Sequence, residues 1–246
     1  MNFKPVFVEG TTLDDTWKQL LYQVYQHGRE YKITRGSYEG SKRLEFDFVS
    51  GFIQYPHTRP LAPIMEGSTV PPPTTDEDIE TYFANYIMDP TLADNEHYKY
   101  STWINKALLN KYKYNLQYLH ETPVEWVIKH FQEAGYGNAH CYITIGGNDT
   151  NFEYDKPYET EQERGTSPCL RGLDFKIVNN TLLTHVNYRS WDCFSGWPTN
   201  MGGFTLLNEY IANHLEGVEP GPLSFACKSL HAYDFQIEPI KMILKR

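Results

Sequence analysis

The chain has 246 residues, with 22 Lys and Arg against 31 Asp and Glu, so its formal net charge is −9. This balance argues against non-specific nucleic-acid binding, which needs a basic surface, although a few arginines in a cleft are enough to bind a small anion. Aromatic residues make up 15% of the chain, which is typical of a packed core. No apolar run is long enough to span a bilayer and the N-terminus lacks the pattern of a signal peptide, so the sequence predicts a cytoplasmic protein.

The first elements in the chain are predicted to be a helix and a strand. Apolar residues recur at helical spacing between Thr12, which can cap the helix, and Gly28, which can end it. After a polar turn around Arg35, apolar and acidic residues alternate and predict a half-buried strand over 44–48. Residues 56–75 contain six prolines, so we expect a long irregular connection there.

Two amphipathic helices are predicted in the middle of the chain. The first is short and has its apolar side between Ile79 and Ile87. A buried segment of undecided type follows between Tyr98 and Leu108. The second helix runs from about Thr122 to Ala134, because Thr122 can cap it, Pro123 suits its first position and Glu125 completes a capping box.

The C-terminal half is predicted to be rich in strands. We expect strands at 140–145, 174–178 and 182–188, with the last two joined as a hairpin through Asn179 and Asn180. A helix is predicted to start near Gly203, and strand-like segments follow at 222–229 and 236–244. Neighbouring strands with helices elsewhere predict an α+β fold, and the absence of a linker predicts a single domain over 1–246.

The residues with the clearest chemical potential lie between 167 and 234. Cys169 precedes one predicted strand and the pair Arg189-Ser190 ends the next. Asn200 follows at the mouth of the helix, and His231 and Tyr233 are separated by one residue. A cysteine near an arginine can be held partly as the nucleophilic thiolate. An isolated cysteine in such a chain is also commonly a small buried hydrophobe.

Four motifs in this stretch resemble the thymidylate synthase and deoxynucleotide hydroxymethylase family, most closely its short archaeal-type branch. They are Pro168-Cys169, Arg189-Ser190-Trp191-Asp192, Gly196-Trp197-Pro198-Thr199-Asn200 and His231-Ala232-Tyr233, in the order and with the internal spacing of the family. The resemblance implies a large, mostly antiparallel twisted sheet with helices packed on one side. It also implies a homodimer formed by sheet-on-sheet packing.

The resemblance assigns a role to each motif. It implies that Cys169 adds to C6 of a uracil ring, which makes C5 the nucleophile that attacks the one-carbon unit of 5,10-methylenetetrahydrofolate. Arg189 and Ser190 would hold the nucleotide phosphate and Arg189 would favour the Cys169 thiolate. Asn200 would contact the pyrimidine edge, His231 and Tyr233 the ribose hydroxyl, and Asp192 would orient the folate or its water network. No metal is implied.

The sequence departs from the family in two places that concern the nucleotide. The stretch 135–140 has none of the arginines that the partner subunit usually supplies to the phosphate, so Arg35 becomes more important and Arg171 is a weaker extra candidate. The catalytic glutamate of the family has no matching motif, and Glu66 is better interpreted as a solvated loop residue.

Three functions remain open from the sequence. Thymidylate synthesis from dUMP is favoured because it is the commoner activity of the family. Hydroxymethylation of dUMP or dCMP is the alternative, because the chain stops at Arg246 without a tail that would close over the folate and exclude water. A non-catalytic relative that binds a nucleotide or RNA is the third, although Cys169, Asn200 and His231 oppose it. Asn200 favours uracil over cytosine, because the hydroxymethylases that act on cytosine carry Asp at that position.

Overall fold

A computed structural model describes residues 3–34, 38–94, 96–107, 121–148, 150, 152 and 167–245. No helix in these ranges is long and apolar enough to cross a membrane. The strands are β1 Pro5–Gly10, β2 Arg29–Lys32, β3 Lys42–Glu45, β4 Phe48–Ile53, β5 Tyr142–Thr144, β6 Leu170–Val178, β7 Thr181–Tyr188, β8 Trp191–Asp192, β9 Glu219–Cys227 and β10 Leu230–Tyr233. The α-helices are α1 Leu13–His27, α2 Asp76–Tyr82, α3 Ser101–Ile104, α4 Pro123–Ala134, α5 Gly196–Asn213 and α6 Ile237–Ile243. A π-helical segment, Phe83–Met88, continues α2, and a 3₁₀ turn, Asp234–Gln236, precedes α6.

The helix-end signals in the sequence are confirmed by the structure. The Thr12 side chain accepts a hydrogen bond from the Asp15 N–H, and Gly28 ends α1. In α4, Thr122 and Glu125 form the expected capping box, and Gly135 follows the last turn at φ 85°. The hairpin between β6 and β7 turns through Asn179 and Asn180, both at positive φ, as a two-residue turn between twisted strands requires.

Among the described residues, the strands form two sheets. The larger has six strands in the order β1-β4-β9-β7-β6-β5, and the smaller has four in the order β2-β3-β10-β8. Five of the eight strand pairs are antiparallel; the parallel pairs are β1 with β4, β7 with β9 and β8 with β10. The α+β prediction with a mostly antiparallel sheet is therefore confirmed.

The core lies between the large sheet and the helices on one of its sides. Alternate residues of β6, β7 and β9 are buried, and α5 packs on β7 and β9. Fully buried aromatic rings fill this layer: Trp17, Phe131, Phe175, Trp197, Phe204 and Phe225. This packing fixes the ends of β6, β7, β8 and β10, where the candidate residues lie.

Three sequence predictions are corrected by the structure. The strand predicted over 44–48 is two strands in different sheets, because Asp47 accepts hydrogen bonds from the Arg29 side chain and the Lys4 N–H at the break. The helix predicted near Gly203 begins at Gly196, where the missing N–H of Pro198 falls within the first turn and is not needed. Asn200 is therefore inside the helix rather than at its mouth.

The third correction concerns the C-terminal end of the chain. The segment 236–244 was predicted to be a strand interrupted at Pro239, but residues Ile237–Ile243 form α6. Pro239 lies in its first turn, where its ring does no harm. Ile240 faces inwards and is fully buried, and the partly buried Ile237 and Ile243 also pack against the core.

Candidate functional site

The nucleophile candidate and its arginine are joined at the adjacent ends of β6 and β7. Cys169 directly precedes β6 and Arg189 directly follows β7. The Arg189 N–H donates to the Cys169 carbonyl at 2.9 Å. The Arg189 guanidinium donates to the carbonyls of Pro168 at 3.1 Å and Ser167 at 2.7 Å. Arg189 therefore holds the backbone that carries the Cys169 thiol.

A second arginine reaches the same backbone segment. Arg171 donates to the Ser167 hydroxyl at 3.2 Å, so the two guanidinium groups bind Ser167 through different oxygens. Burial raises the pKa of the Cys169 thiol, while the positive charges of Arg189 and Arg171 act in the opposite direction. The expectation that Arg189 favours the thiolate is correct in sign, but burial is the larger effect. Before a ligand binds, the thiol form predominates at neutral pH.

The other cysteines provide a contrast with Cys169. Cys141, Cys193 and Cys227 are buried and unoxidised, and burial raises the pKa of each. Cys169 is the partly exposed thiol among the four. The other three thiols pack within the hydrophobic core.

Tyrosine side chains surround Cys169, and the sequence did not single out most of them. Burial raises the pKa of each of these phenols, and the charge of Cys169 contributes in the same direction: Tyr86, Tyr100, Tyr188 and Tyr233. The Tyr100 hydroxyl also accepts from the Leu170 N–H at 3.4 Å. In the sequence the spacing of these tyrosines predicts only the apolar faces of helices and strands. Their positions around the thiol follow from the fold.

Asp192 is bound by the turn that leads into α5. Its carboxylate accepts from the Phe194 N–H at 2.9 Å and from the Ser195 hydroxyl at 2.5 Å. The Gln236 amide donates to both of its oxygens at 3.2 Å. Asp192 therefore fixes the turn that precedes α5.

Asn200 lies in α5 with its amide oriented by a tryptophan. The Trp191 indole N–H donates to Asn200 Oδ1 at 2.8 Å. Trp191 is 3% exposed and stacks on Tyr188, with the ring centroids 3.8 Å apart and an angle of 7° between the rings. The sequence shows Trp191 only as a member of the Arg189-Ser190-Trp191-Asp192 motif; the structure adds this hydrogen bond.

His231 and Tyr233 both lie on β10, beside Asp192. In the parallel pairing of β10 with β8, His231 is the register partner of Asp192. His231 Nδ1 donates to the Ser229 carbonyl at 2.9 Å, which leaves Nε2 as the acceptor of a neutral ring. Nε2 is buried and has no hydrogen-bond partner within the described residues. Burial lowers the pKa of His231, which keeps the ring neutral.

Tyr233 extends from the same strand towards the thiol. Burial raises its pKa to about 12, and the charges of Asp192 and Cys169 contribute in the same direction. Its ring contacts Tyr38 and stacks on Phe235, at centroid distances of 4.7 Å and 5.4 Å. Tyr233 therefore lies close enough to Asp192 and Cys169 to interact with both electrostatically, and His231 pairs with Asp192 in the sheet.

The remaining predicted residues have different outcomes. Ser190 is half-buried beside Arg189. Glu66 is exposed, in agreement with its interpretation as a solvated loop residue. Arg35 lies outside the described residues, so its phosphate role stays a prediction. The clustered residues combine a thiol, guanidinium groups, an amide and an imidazole, which suits attack on a planar ring of an anionic ligand.

Comparison with known proteins shows which family the chain resembles. The thymidylate synthase family profile matches residues 156–246. The "Putative thymidylate synthase" of Methanosarcina mazei is 25% identical over 243 residues, 97% of this chain and 94% of that protein. The protein of the same name from Methanopyrus kandleri is 23% identical over 234 residues, 94% of each chain. Thymidylate synthase of Homo sapiens is 35% identical over 79 residues, 32% of this chain and 25% of the human protein.

The family resemblance indicated by the four motifs is therefore confirmed. The chain is a thymidylate synthase-like α+β protein, with relatives that extend over nearly its whole length. The proteins that it resembles are named thymidylate synthase or putative thymidylate synthase.

Proposed function

We propose that this protein transfers a one-carbon unit from 5,10-methylenetetrahydrofolate to C5 of dUMP and so makes thymidylate. The observation that carries the proposal is the partly exposed Cys169 thiol directly before β6, where Arg189 and Arg171 bind the adjacent residues Pro168 and Ser167. A uracil ring placed over this thiol is open to attack at C6.

The chemistry begins with the thiol. The Cys169 thiolate adds to C6, and the electron pair of the 5,6 bond makes C5 the nucleophile. C5 attacks the methylene carbon of the folate, loses its proton and gives an exocyclic methylene as tetrahydrofolate leaves. Hydride transfer from tetrahydrofolate then gives the methyl group and dihydrofolate, and the Cys169 sulfur leaves C6. The expected activity needs no metal.

The nucleotide is proposed to bind through side chains of β10, the end of β7 and α5. The ribose hydroxyl would form two hydrogen bonds. It donates to the buried His231 Nε2, and it accepts from the Tyr233 hydroxyl. Arg189, Ser190 and Arg35 bind the phosphate. Asn200 contacts the pyrimidine edge, and Asp192 orients the folate or its water network through the turn that it fixes.

Hydroxymethylation is the second candidate, since water can replace hydride at the exocyclic methylene. Product analysis separates the two. Incubation with dUMP and methylenetetrahydrofolate, followed by mass measurement of the nucleotide, should give the methyl product with release of dihydrofolate. A hydroxymethyl product with tetrahydrofolate would establish the alternative, and binding of dUMP without any product would favour a non-catalytic relative.

We also propose that residues 1–246 form one domain that pairs with a second copy through the open face of the large sheet. Residues on that face point away from the helices and are exposed or half-buried, and Phe7 is 64% exposed. Neighbours in adjacent strands continue the face through Ser50 and Ala226. Sedimentation should show a dimer at micromolar concentration, and Ala226→Arg should give a monomer that keeps its circular dichroism spectrum. A wild-type monomer would contradict the proposal.

A further inference from the structure

The amide of Asn200 is held in a single orientation by its neighbour. An indole N–H is only a donor, so the atom that faces it at 2.8 Å must be the amide oxygen rather than the amide nitrogen. The reverse orientation would place N–H against N–H inside a site where Trp191 is 3% exposed. A buried donor left without an acceptor is unfavourable. The Asn200 Nδ2 group therefore points away from Trp191.

The indole itself is firmly placed. Trp191 stacks face to face on Tyr188 and meets Phe225 edge to face, at an angle of 88°. Its backbone N–H donates to the Ser229 carbonyl at 3.0 Å. Because both the ring and the backbone of Trp191 are held in place, its indole N–H has a fixed position relative to the Asn200 amide on α5.

The orientation of an amide decides which pyrimidine it matches. Uracil offers a donor at N3 and an acceptor at O4, whereas cytosine offers an acceptor at N3 and a donor at N4. A freely turning asparagine amide can pair with either base by rotating through half a turn. An amide fixed in one orientation can pair well with only one of them.

We infer that Trp191 is a specificity-determining positioning residue, which selects uracil over cytosine by fixing the orientation of the Asn200 amide. This inference rests on the proposed function, because it takes the pyrimidine edge to be the ligand of Asn200. It assigns to Trp191 a role beyond packing and predicts that selectivity depends on an N–H that does not touch the ligand.

The test compares two tryptophan variants. Trp191→Phe keeps an aromatic ring against Tyr188 but removes the N–H donor. The matched control is Trp197→Phe: Trp197 is also fully buried, lies 6.2 Å from Trp191 between ring centroids, and its indole N–H has no hydrogen-bond partner within the described residues. Affinities for dUMP and dCMP are measured by titration calorimetry for each protein.

Trp191→Phe should reduce the ratio of dUMP to dCMP affinity roughly tenfold or more, which corresponds to the loss of one discriminating buried hydrogen bond. A packing defect weakens both ligands alike, so Trp197→Phe should leave the ratio unchanged. In an Asn200→Asp background, where there is no amide to turn, Trp191→Phe should have no further effect on the ratio. Should the phenylalanine variant lose its circular dichroism spectrum, Trp191→Met fills the space without a donor and serves instead.

The outcomes distinguish the role of Trp191 from the proposed function. If the wild-type protein prefers dUMP and Trp191→Phe keeps the full preference, the role of Trp191 is overturned while the proposed function stands. If the wild-type protein does not prefer dUMP to dCMP, the proposed substrate is wrong, and with it the selection of uracil by Trp191.

Discussion

The side-chain amide of Gln236 donates to both carboxylate oxygens of Asp192, at 3.2 Å each. Gln236 is 5% exposed and directly precedes α6, while Asp192 ends β8 at the candidate site. One side chain therefore connects the C-terminal helix to the turn that orders α5. The connection explains why a short helix with one fully buried apolar residue keeps its place.

Gln236→Glu should destabilise the fold at neutral pH. The variant places a second carboxylate against Asp192 and removes both donors, so we expect the free energy of unfolding to fall by about 1–3 kcal/mol. Two close carboxylates cannot both be ionised without cost, so protonation of one as the pH falls should recover part of the loss. Urea titrations of variant and wild type across the acidic range measure this, and a difference independent of pH would contradict it.

Cys169→Ser should abolish turnover and leave the fold and nucleotide binding largely intact. A hydroxyl has a far higher pKa than a thiol and does not reach a useful anion beside Arg189. Single-turnover assays with dUMP give the rate, and calorimetry gives the affinity. Cys227→Ser, a change at a buried thiol outside the proposed chemistry, is the control for oxidation effects. Retention of more than a few per cent of activity by the Cys169 variant would exclude it as the nucleophile.

Alkylation of Cys169 by iodoacetamide should be slow at neutral pH and accelerate as the pH rises. Burial raises the pKa of this thiol, so the thiolate is the minor form at about pH 7 and increases through the alkaline range. Removing the charge of Arg171 by Arg171→Gln should raise this pKa further and slow the reaction at a given pH. Mass spectrometry of the modified peptides follows each cysteine separately. A rate that does not change between about pH 7 and about pH 9 would contradict the raised pKa.

Arg189→Ala should weaken nucleotide binding on the order of a hundredfold or more, because charge-assisted hydrogen bonds contribute roughly 1.5–3 kcal/mol each. Arg189 also holds the Ser167 and Pro168 carbonyls, so part of the loss can arise from the backbone. Deoxyuridine, which lacks the phosphate, isolates that part: its affinity should fall much less than that of dUMP. Arg35→Ala should have a smaller effect than Arg189→Ala, since the sequence predicts Arg35 to lie in a polar turn and a turn residue is held less firmly than one at a strand end. Equal affinity of the wild type for dUMP and deoxyuridine would mean that no phosphate site exists.

Asn200→Asp should weaken discrimination against cytosine. A protonated carboxyl offers a donor and an acceptor that suit the cytosine edge, and an unpaired buried group costs about 1–3 kcal/mol, so the preference for uracil should fall at least roughly tenfold. The ratio of dUMP to dCMP turnover is the measurement. A ratio equal to that of the wild type would mean that Asn200 has only a structural role in α5.

Local signals in the sequence predicted several helix ends and turns of this protein correctly. The caps at Thr12 and Thr122 and the Asn179-Asn180 turn depend on neighbouring residues, so they could be predicted without the fold. The four motifs with their order also indicated the family resemblance and gave the candidate site residues, whose roles stay predictions. Each of these caps, turns and motifs consists of a few residues that are close together in the sequence.

The tertiary structure decided what depends on distant residues. Asp47 divides a predicted strand because Arg29 and Lys4 bind it. Residues 237–243 form a helix, although a strand was expected there from the sequence. The hydrogen bond from Trp191 to Asn200 joins a strand to a helix. Nothing in the sequence indicates that these two side chains meet. Burial, which raises the pKa of Cys169 against two arginines, is likewise a property of the packed chain. Periodicity gives the faces of elements, but which groups meet across them is set only when the layers pack.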